Sequence, residues 1–259
     1  KDRPAHGDAL VGTVVTVDRG RYGVLMAAGM GGRKTHERTL IAMKARELGR
    51  KGIVVGDDVG VVGDTSGHPD ALARIVRVEP RRTVLRRSAD DVDPVERFLV
   101  ANADQLVVVS SLTNPPPRPR LIDRCLVAAY DAGLDPLLVL TKADLVAADD
   151  FLGHYAPLAV PCIVTSRRPD RSLIGLDEVR ARLVGRVSVL VGHSGVGKST
   201  LVNALVPGAD RSVGRVNDVT GRGRHTSTSA VALRLPADSG RVIDTPGVRP
   251  FRPRHVARA

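Results

Sequence analysis

Residues 192–199, Gly192-His193-Ser194-Gly195-Val196-Gly197-Lys198-Ser199, satisfy GxxxxGK[ST] at every fixed position, and the chemistry this spacing serves is the cradling of a polyphosphate. Glycines let backbone N–H groups turn inward toward phosphate oxygens with no Cβ in the way. A helix beginning near Lys198 would aim the positive end of its dipole into the same space. Lys198 would then lie along the β- and γ-phosphates, and the Ser199 hydroxyl would ligate Mg²⁺, with Thr200 following in the same turn.

Two other short segments carry matching chemistry. Thr141-Lys142-Ala143-Asp144 is a variant of the Asn-Lys-x-Asp guanine clamp, in which the carboxylate of Asp144 accepts from N1–H and the exocyclic amine of guanine while the Lys142 stem covers the base. Adenine cannot supply that donor pair. Thr165-Ser166 stands where a short loop could donate a backbone N–H to the guanine O6. Asp244-Thr245-Pro246-Gly247 has the DxxG spacing that lets Asp244 hold Mg²⁺ through a water and lets the Gly247 N–H sense the γ-phosphate. Between the phosphate loop and this segment, residues 211–229 are rich in Arg and Gly, and one hydroxyl among Thr226, Ser227 and Thr228 is a further candidate Mg²⁺ ligand.

Each of these segments needs a strand behind it. Val187-Ser188-Val189-Leu190-Val191 precedes the phosphate loop and Leu137 to Leu140 precedes the clamp; Pro161 to Val164 precedes Thr165, and Arg241-Val242-Ile243 precedes Asp244. Gln105 to Val109 is a further apolar run without alternation, as expected of a parallel strand buried on both faces. Leu121, Ile122, Cys125, Leu126 and Ala129 recur at helical spacing over 120–132. Strands alternating with helices predict a doubly wound α/β domain over 88–250, opening with a helix over Asp93 to Leu99. Thr113 to Pro119 is too rich in proline for regular structure.

Residues 1–87 read differently. Short alternating runs at Leu10 to Val17, Gly23 to Ala27, Ile53 to Asp64 and Ala73 to Val78, punctuated by Gly and Asp, predict a small OB-like β-barrel. PRRTVLRR, Pro80 to Arg87, reads as a basic linker. Of the formal net charge of +11, residues 1–89 carry +7 and the remainder +4, so the excess is concentrated in the first third. A polyanionic partner fits this bias, and so does a merely solvated basic face. Tyr22 is the only aromatic residue before Phe98, so an RNA contact here would be phosphate-directed through Arg33, Lys34, Arg46, Arg50 and Lys51, with little base stacking. Cys125 and Cys162 have no Cys or His neighbour at metal-ligand spacing and read as buried thiols of a reducing compartment. With no membrane-length apolar run, the sequence is expected to be a cytoplasmic, soluble, monomeric protein.

The order of the motifs is unusual: clamp first, phosphate loop second, DxxG last, where Ras-like GTPases run phosphate loop, DxxG, clamp. A circularly permuted chain builds the same sheet. With GDDVGVVGD, PRRTVLRR, VANADQLVVVSS, PRLIDRCLVAA, TKADL, GHSGVGKSTLVNAL, GRGRHTSTSA and VIDTPGVR in this order, the sequence closely resembles the ribosome small subunit-dependent GTPase A family. The resemblance implies a circularly permuted P-loop GTPase domain behind an OB-like barrel. It further implies GTP hydrolysis stimulated by the small ribosomal subunit, a role in late maturation of that subunit, and contact of the barrel with ribosomal RNA. It implies too that His225, in place of the glutamine that other GTPases carry after DxxG, orients the attacking water; a contact of His225 with RNA or solvent is the alternative. Thr141 stands where the clamp has asparagine, a change expected to loosen that loop. Family members continue into a helical zinc module, whereas here a short basic tail, 251–259, follows DxxG, and no zinc is expected from Cys125, Cys162 and seven scattered histidines. An ATP-using P-loop protein and a nucleotide-gated RNA-binding module with little turnover remain as alternatives to a GTPase.

Overall fold

The computed structural model describes residues 6–27, 37–49, 52–68, 70–87, 97–208 and 230–246. Five strands form the barrel: β1 (Leu10–Asp18), β2 (Arg21–Met26), β3 (Arg38–Lys44), β4 (Asp58–Gly63) and β5 (Ala73–Val78). They pair in the order β1-β2-β3-β5-β4, and β4 returns to β1 through Leu10 opposite Val61 and Thr13 opposite Asp58, closing the ring. Alternation explains the inside: Leu40 and Ala42 of β3 point inward while Thr39, Ile41 and Met43 stay outside. Val14, Val24, Leu40, Val59 and Ile75 fill the centre. Burying each such side chain contributes roughly 1.5–3 kcal/mol before chain entropy is set against it.

A hairpin follows, β6 (Val84–Arg87) antiparallel to β7 (Arg97–Ala101). Two expectations are corrected here. The PRRTVLRR segment is no simple linker, because its second half is β6 and its Arg81 is locked into the barrel. Residues 97–99, expected to end a helix, belong to β7; the segment follows the strand because Arg86 and Arg87 pair with Phe98 and Arg97 across the hairpin, with Leu99 at a shift of register. Residues 93–96 of that expected helix lie outside the described residues. Ile53 to Val55 likewise makes a single bridge, Val55 to Val100, in place of a strand.

The α/β domain continues with β8 (Gln105–Ser111), α1 (Pro119–Asp131), β9 (Asp135–Thr141), α2 (Asp149–Tyr155), β10 (Cys162–Val164), the short ribbon β11 (Ser166–Arg167) and β12 (Leu173–Ile174), α3 (Leu176–Leu183), β13 (Val187–Gly192), α4 (Lys198–Leu205), β14 (Val231–Arg234) and β15 (Arg241–Asp244). Strands β10, β9, β8, β13 and β15 run parallel in that order, and β14 is antiparallel at their end. Every residue of β8 is buried, which explains its lack of alternation. Leu106 and Val108 face one layer with Ile122, Cys125 and Leu126 of α1, while Val107 and Val109 face the other with Val179 of α3 and Leu201 of α4. Helices therefore cover both faces, as a doubly wound domain requires.

Barrel and α/β domain share one sheet, since β14 pairs with β1 through Val231 opposite Thr16. A second joint lies at Gly56, whose φ of +91° suits glycine and whose missing Cβ would stand 1.9 Å from the Ala101 carbonyl oxygen. Beside it the fully buried Asp57 accepts from Arg81 Nε at 2.6 Å and Nη2 at 2.8 Å, and Asn102 Nδ2 donates to the Gly56 carbonyl at 2.9 Å. Among the described residues no helix is long and apolar enough to cross a membrane.

Candidate functional site

The carboxyl ends of β9, β10, β13 and β15 open on the same edge of the parallel sheet, where ligands of open α/β sheets bind. The phosphate loop leaves β13 at Gly192, which is buried and paired with Val109 of β8. Gly195 and Gly197 take φ of +81° and +92°, values open to glycine, and Gly197 is the residue from which α4 starts. His193 Nδ1 lies 2.9 Å from the Ser194 carbonyl oxygen, and Ser194 and Gly195 are exposed at the tip. Val196 is buried at 4 % exposure and pins the loop to the core. Ser199 and Thr200 sit exposed in the first turn of α4, where unpaired backbone N–H groups favour an anion.

The clamp loop meets this loop directly. Thr141 Oγ1 donates to the Val196 carbonyl at 2.6 Å, in a site only 7 % exposed, and Lys142 Nζ donates to the Gly195 carbonyl at 3.0 Å. Threonine in the asparagine position thus ties the clamp to the phosphate loop. Lys142 adopts φ of +66° and also donates to the Asn114 carbonyl. Asp144 is exposed, and its Oδ1 accepts from the Arg167 N–H at 2.9 Å, which fixes the carboxylate against the loop after β10. Within that loop the Thr165 carbonyl accepts from the Ala143 N–H at 3.2 Å, and the Thr165 hydroxyl, buried, donates back to Leu140. Ser166, half-buried, follows in β11.

On the other side of β13, Asp244 ends β15 opposite Leu190. Its Oδ1 accepts from Lys198 Nζ, with the two side chains 14 % and 11 % exposed. Thr245 is tied down in turn, its hydroxyl donating to the Leu190 carbonyl at 2.7 Å. A phosphate approaching Lys198 would compete with the Asp244 carboxylate for the same ammonium. The hydroxyl of Ser199 and the carboxylate of Asp244 offer oxygen donors only, a set that suits Mg²⁺. His225, Thr226, Ser227 and Gly247 lie outside the described residues, as do Arg33, Lys34, Arg50 and Lys51 of the basic set; Arg46 is exposed beside the barrel.

One segment at the site escaped sequence reasoning. Asn114 and Pro115, read only as irregular, flank the phosphate loop: Pro115 Cδ stands 3.4 Å from where a Gly195 Cβ would be, and the Ser111 hydroxyl donates to the Pro115 carbonyl at 2.7 Å. Their position at the carboxyl end of the buried strand β8 is the signal that could have found them.

Known proteins share this fold. A profile of the family described as RsgA GTPase matches residues 78–253. The small ribosomal subunit biogenesis GTPase RsgA of Pseudomonas aeruginosa is 42 % identical over 212 residues, and that of Azotobacter vinelandii is 44 % identical over 213; each alignment covers 80 % of this chain and 59 % of the relative. The chain thus spans about three-fifths of the length of these relatives. YjeQ from Thermotoga maritima superposes with a TM-score of 0.63 at 27 % identity, over 92 % of this chain and 74 % of that one. YloQ, described as a circularly permuted GTPase, gives 0.61 at 21 % identity over 97 % and 76 %, a likeness of fold. With the clamp encoded ahead of the phosphate loop it touches, and with the profile covering the α/β domain from its preceding hairpin onward, the chain belongs to the RsgA GTPase family.

Proposed function

We propose that this chain is a GTP hydrolase that binds the small ribosomal subunit and assists its late maturation, with the nucleotide state controlling binding and release. The observation that carries the reading is the direct contact of the two loops, Thr141 to Val196 and Lys142 to Gly195, which lets one nucleotide meet the base clamp and the phosphate cradle together. Asp144 takes the guanine N1–H and amine, Lys142 lies over the base, and Thr165 and Ser166 border O6. Residues 192–200 wrap the phosphates through backbone N–H groups, and Lys198 moves from Asp244 onto the β- and γ-phosphates. Ser199, Asp244 through a water, and Thr226 or Ser227 are the residues that would hold Mg²⁺, which when bound neutralises charge on the transferring phosphoryl group. Gly247 and His225, outside the described residues, are assigned by motif the sensing of the γ-phosphate and the orienting of the attacking water. The RsgA relatives are named for small ribosomal subunit biogenesis, and the basic excess of residues 1–89 supports ribosomal RNA as a polyanionic partner.

Displacement of a fluorescent GDP analogue tests the base assignment. GTP is expected to compete and ATP not to, and Asp144→Asn is expected to shift preference toward xanthine nucleotides by roughly 10–100-fold, the worth of a charged hydrogen-bond pair. Lys198→Ala removes the charge on the phosphates and is expected to abolish hydrolysis. Phosphate release measured with and without small subunits then separates a stimulated GTPase from a nucleotide-gated binder; equal rates would remove the stimulation, and no release in either would sink the hydrolase reading.

A further inference from the structure

We infer that Glu37, a barrel residue, is a positioning residue for Asp244, acting through the hairpin of β14 and β15 on which Asp244 is carried. The inference rests on the proposed role of Asp244 at the phosphate site, and its observations lie elsewhere. Arg234 and Arg241 stand directly opposite each other across the hairpin, a like-charge pair that by itself destabilises an antiparallel ladder. Glu37 reaches between them from the start of β3: Oε2 accepts from Arg234 Nη1, and Oε1 lies 3.7 Å from Arg241 Nη2. Asp238 also takes Arg234 Nε at 2.8 Å, within the hairpin's own turn. Glu37 is thus the carboxylate supplied from another domain.

At its other end the hairpin pairs Asp244 with Val231, and Val231 with Thr16 of β1. That single pair is the whole of the β1–β14 ladder among the described residues. Between the two points a cavity opens, lined by Thr13, Val15 and Asp58 from the barrel and by Ala232, Arg241 and Ile243 from the hairpin. The barrel therefore holds the hairpin at two places with a gap between them. β15 stays paired with β13 from Arg241 to Asp244, so loosening the Glu37 contact removes one of the barrel's two holds on the strand pair whose far end presents Asp244 to Lys198. Glu37, Arg234 and Arg241 side chains are 21 %, 47 % and 30 % exposed, so salt screens the contact and the effect amounts to a few-fold change.

Amide hydrogen exchange on the full chain without nucleotide tests the inference. Glu37→Gln is expected to speed exchange of the Val231–Asp244 amides about threefold or more, to leave β8 and β9 unchanged, and to be reversed by Glu37→Asp at low salt. Arg234→Gln, which removes the like-charge pair that Glu37 offsets, is expected to speed exchange less than Glu37→Gln does, and the double variant to exchange more slowly than Glu37→Gln alone. Unchanged exchange over 231–244 in Glu37→Gln, or an equal rise across the whole chain, would overturn the inference. With nucleotide, the same variant is expected to weaken binding of a non-hydrolysable GTP analogue in Mg²⁺ more than binding of GDP. Since the exchange measurement needs no ligand, failure to bind guanine nucleotides would count against the proposed function alone.

Discussion

Thr141 shows how one side chain can hold two motifs together. Its hydroxyl is the donor to the Val196 carbonyl, buried where water cannot replace it. Thr141→Val keeps the shape and deletes the donor, leaving a buried carbonyl unpaired at about 1–3 kcal/mol. Denaturant unfolding is expected to show that loss, and guanine nucleotide affinity to fall with it because both loops shift; Thr141→Asn, which restores a donor, is expected to recover much of each. The motif was legible in the sequence as a clamp, but the tether was not, since it joins residues 55 positions apart. Cys125 gives the opposite case, a residue read correctly as a buried thiol. Burial among α1 and the sheet pushes its thiol up to about 12, with the nearby Arg124 opposing weakly. Below about pH 8.5, the ordinary thiol value, both states are protonated and the stabilisation is complete. As pH rises from there toward about 12, only the unfolded chain ionises, so stability falls. Unfolding measured at pH 8, 9.5 and 10.5 is expected to show that decline, and Cys125→Ala to make it shallower.

At the scale of elements, the corrections share one cause. The expected helix over Asp93 to Leu99 and the expected linker over Pro80 to Arg87 were both judged from local composition, while β6 and β7 exist because each completes the other's hydrogen bonds across the sequence between them. Strand β3 escaped notice for a related reason: Thr39, Ile41 and Met43 on its outside dilute the apolar alternation that Leu40 and Ala42 provide inside. The helices and parallel strands, with long periodic or unbroken apolar runs, were legible. What the linker reading concealed is a rigid joint, in which Arg81 bonds Asp57 twice and stacks its guanidinium 4.6 Å from the Phe98 ring centroid. Asp57→Ala would strand a mostly buried guanidinium and leave the Val54 N–H, 2.9 Å from Asp57 Oδ2, without its acceptor. Breaking a buried pair costs about 3–5 kcal/mol, reduced here to roughly 2–4 by the partial exposure of Arg81. Chemical denaturation followed by circular dichroism is expected to show a lower midpoint for the barrel and the α/β domain together, because the joint belongs to both. Separate transitions would mean that the two units are not coupled at this point.

For the whole molecule, motif order alone made the permutation legible, because strand–loop–strand adjacency survives when a chain is cut and rejoined elsewhere. The closed barrel was legible in its turn-punctuated strands, whereas the continuity of its sheet with the α/β domain, through one pair at Thr16 and Val231, left no trace in the sequence. Charge is the property that belongs to no element singly. With +7 of the net +11 in residues 1–89, and Arg81, Arg82, Arg86 and Arg87 among them, attraction to ribosomal RNA would act through the barrel together with the segment that follows it, and with Tyr22 buried in the barrel core it would act through phosphates. Counterion release then sets the outcome. If four phosphates are neutralised, affinity for purified small subunits is expected to fall roughly a hundredfold between 50 and 200 mM salt. Guanine nucleotide affinity, which involves fewer released counterions, is expected to change less over the same range. A salt profile for subunit binding as flat as that for the nucleotide would mean that the basic face is only solvated, and that recognition of the subunit lies in residues other than these arginines and lysines.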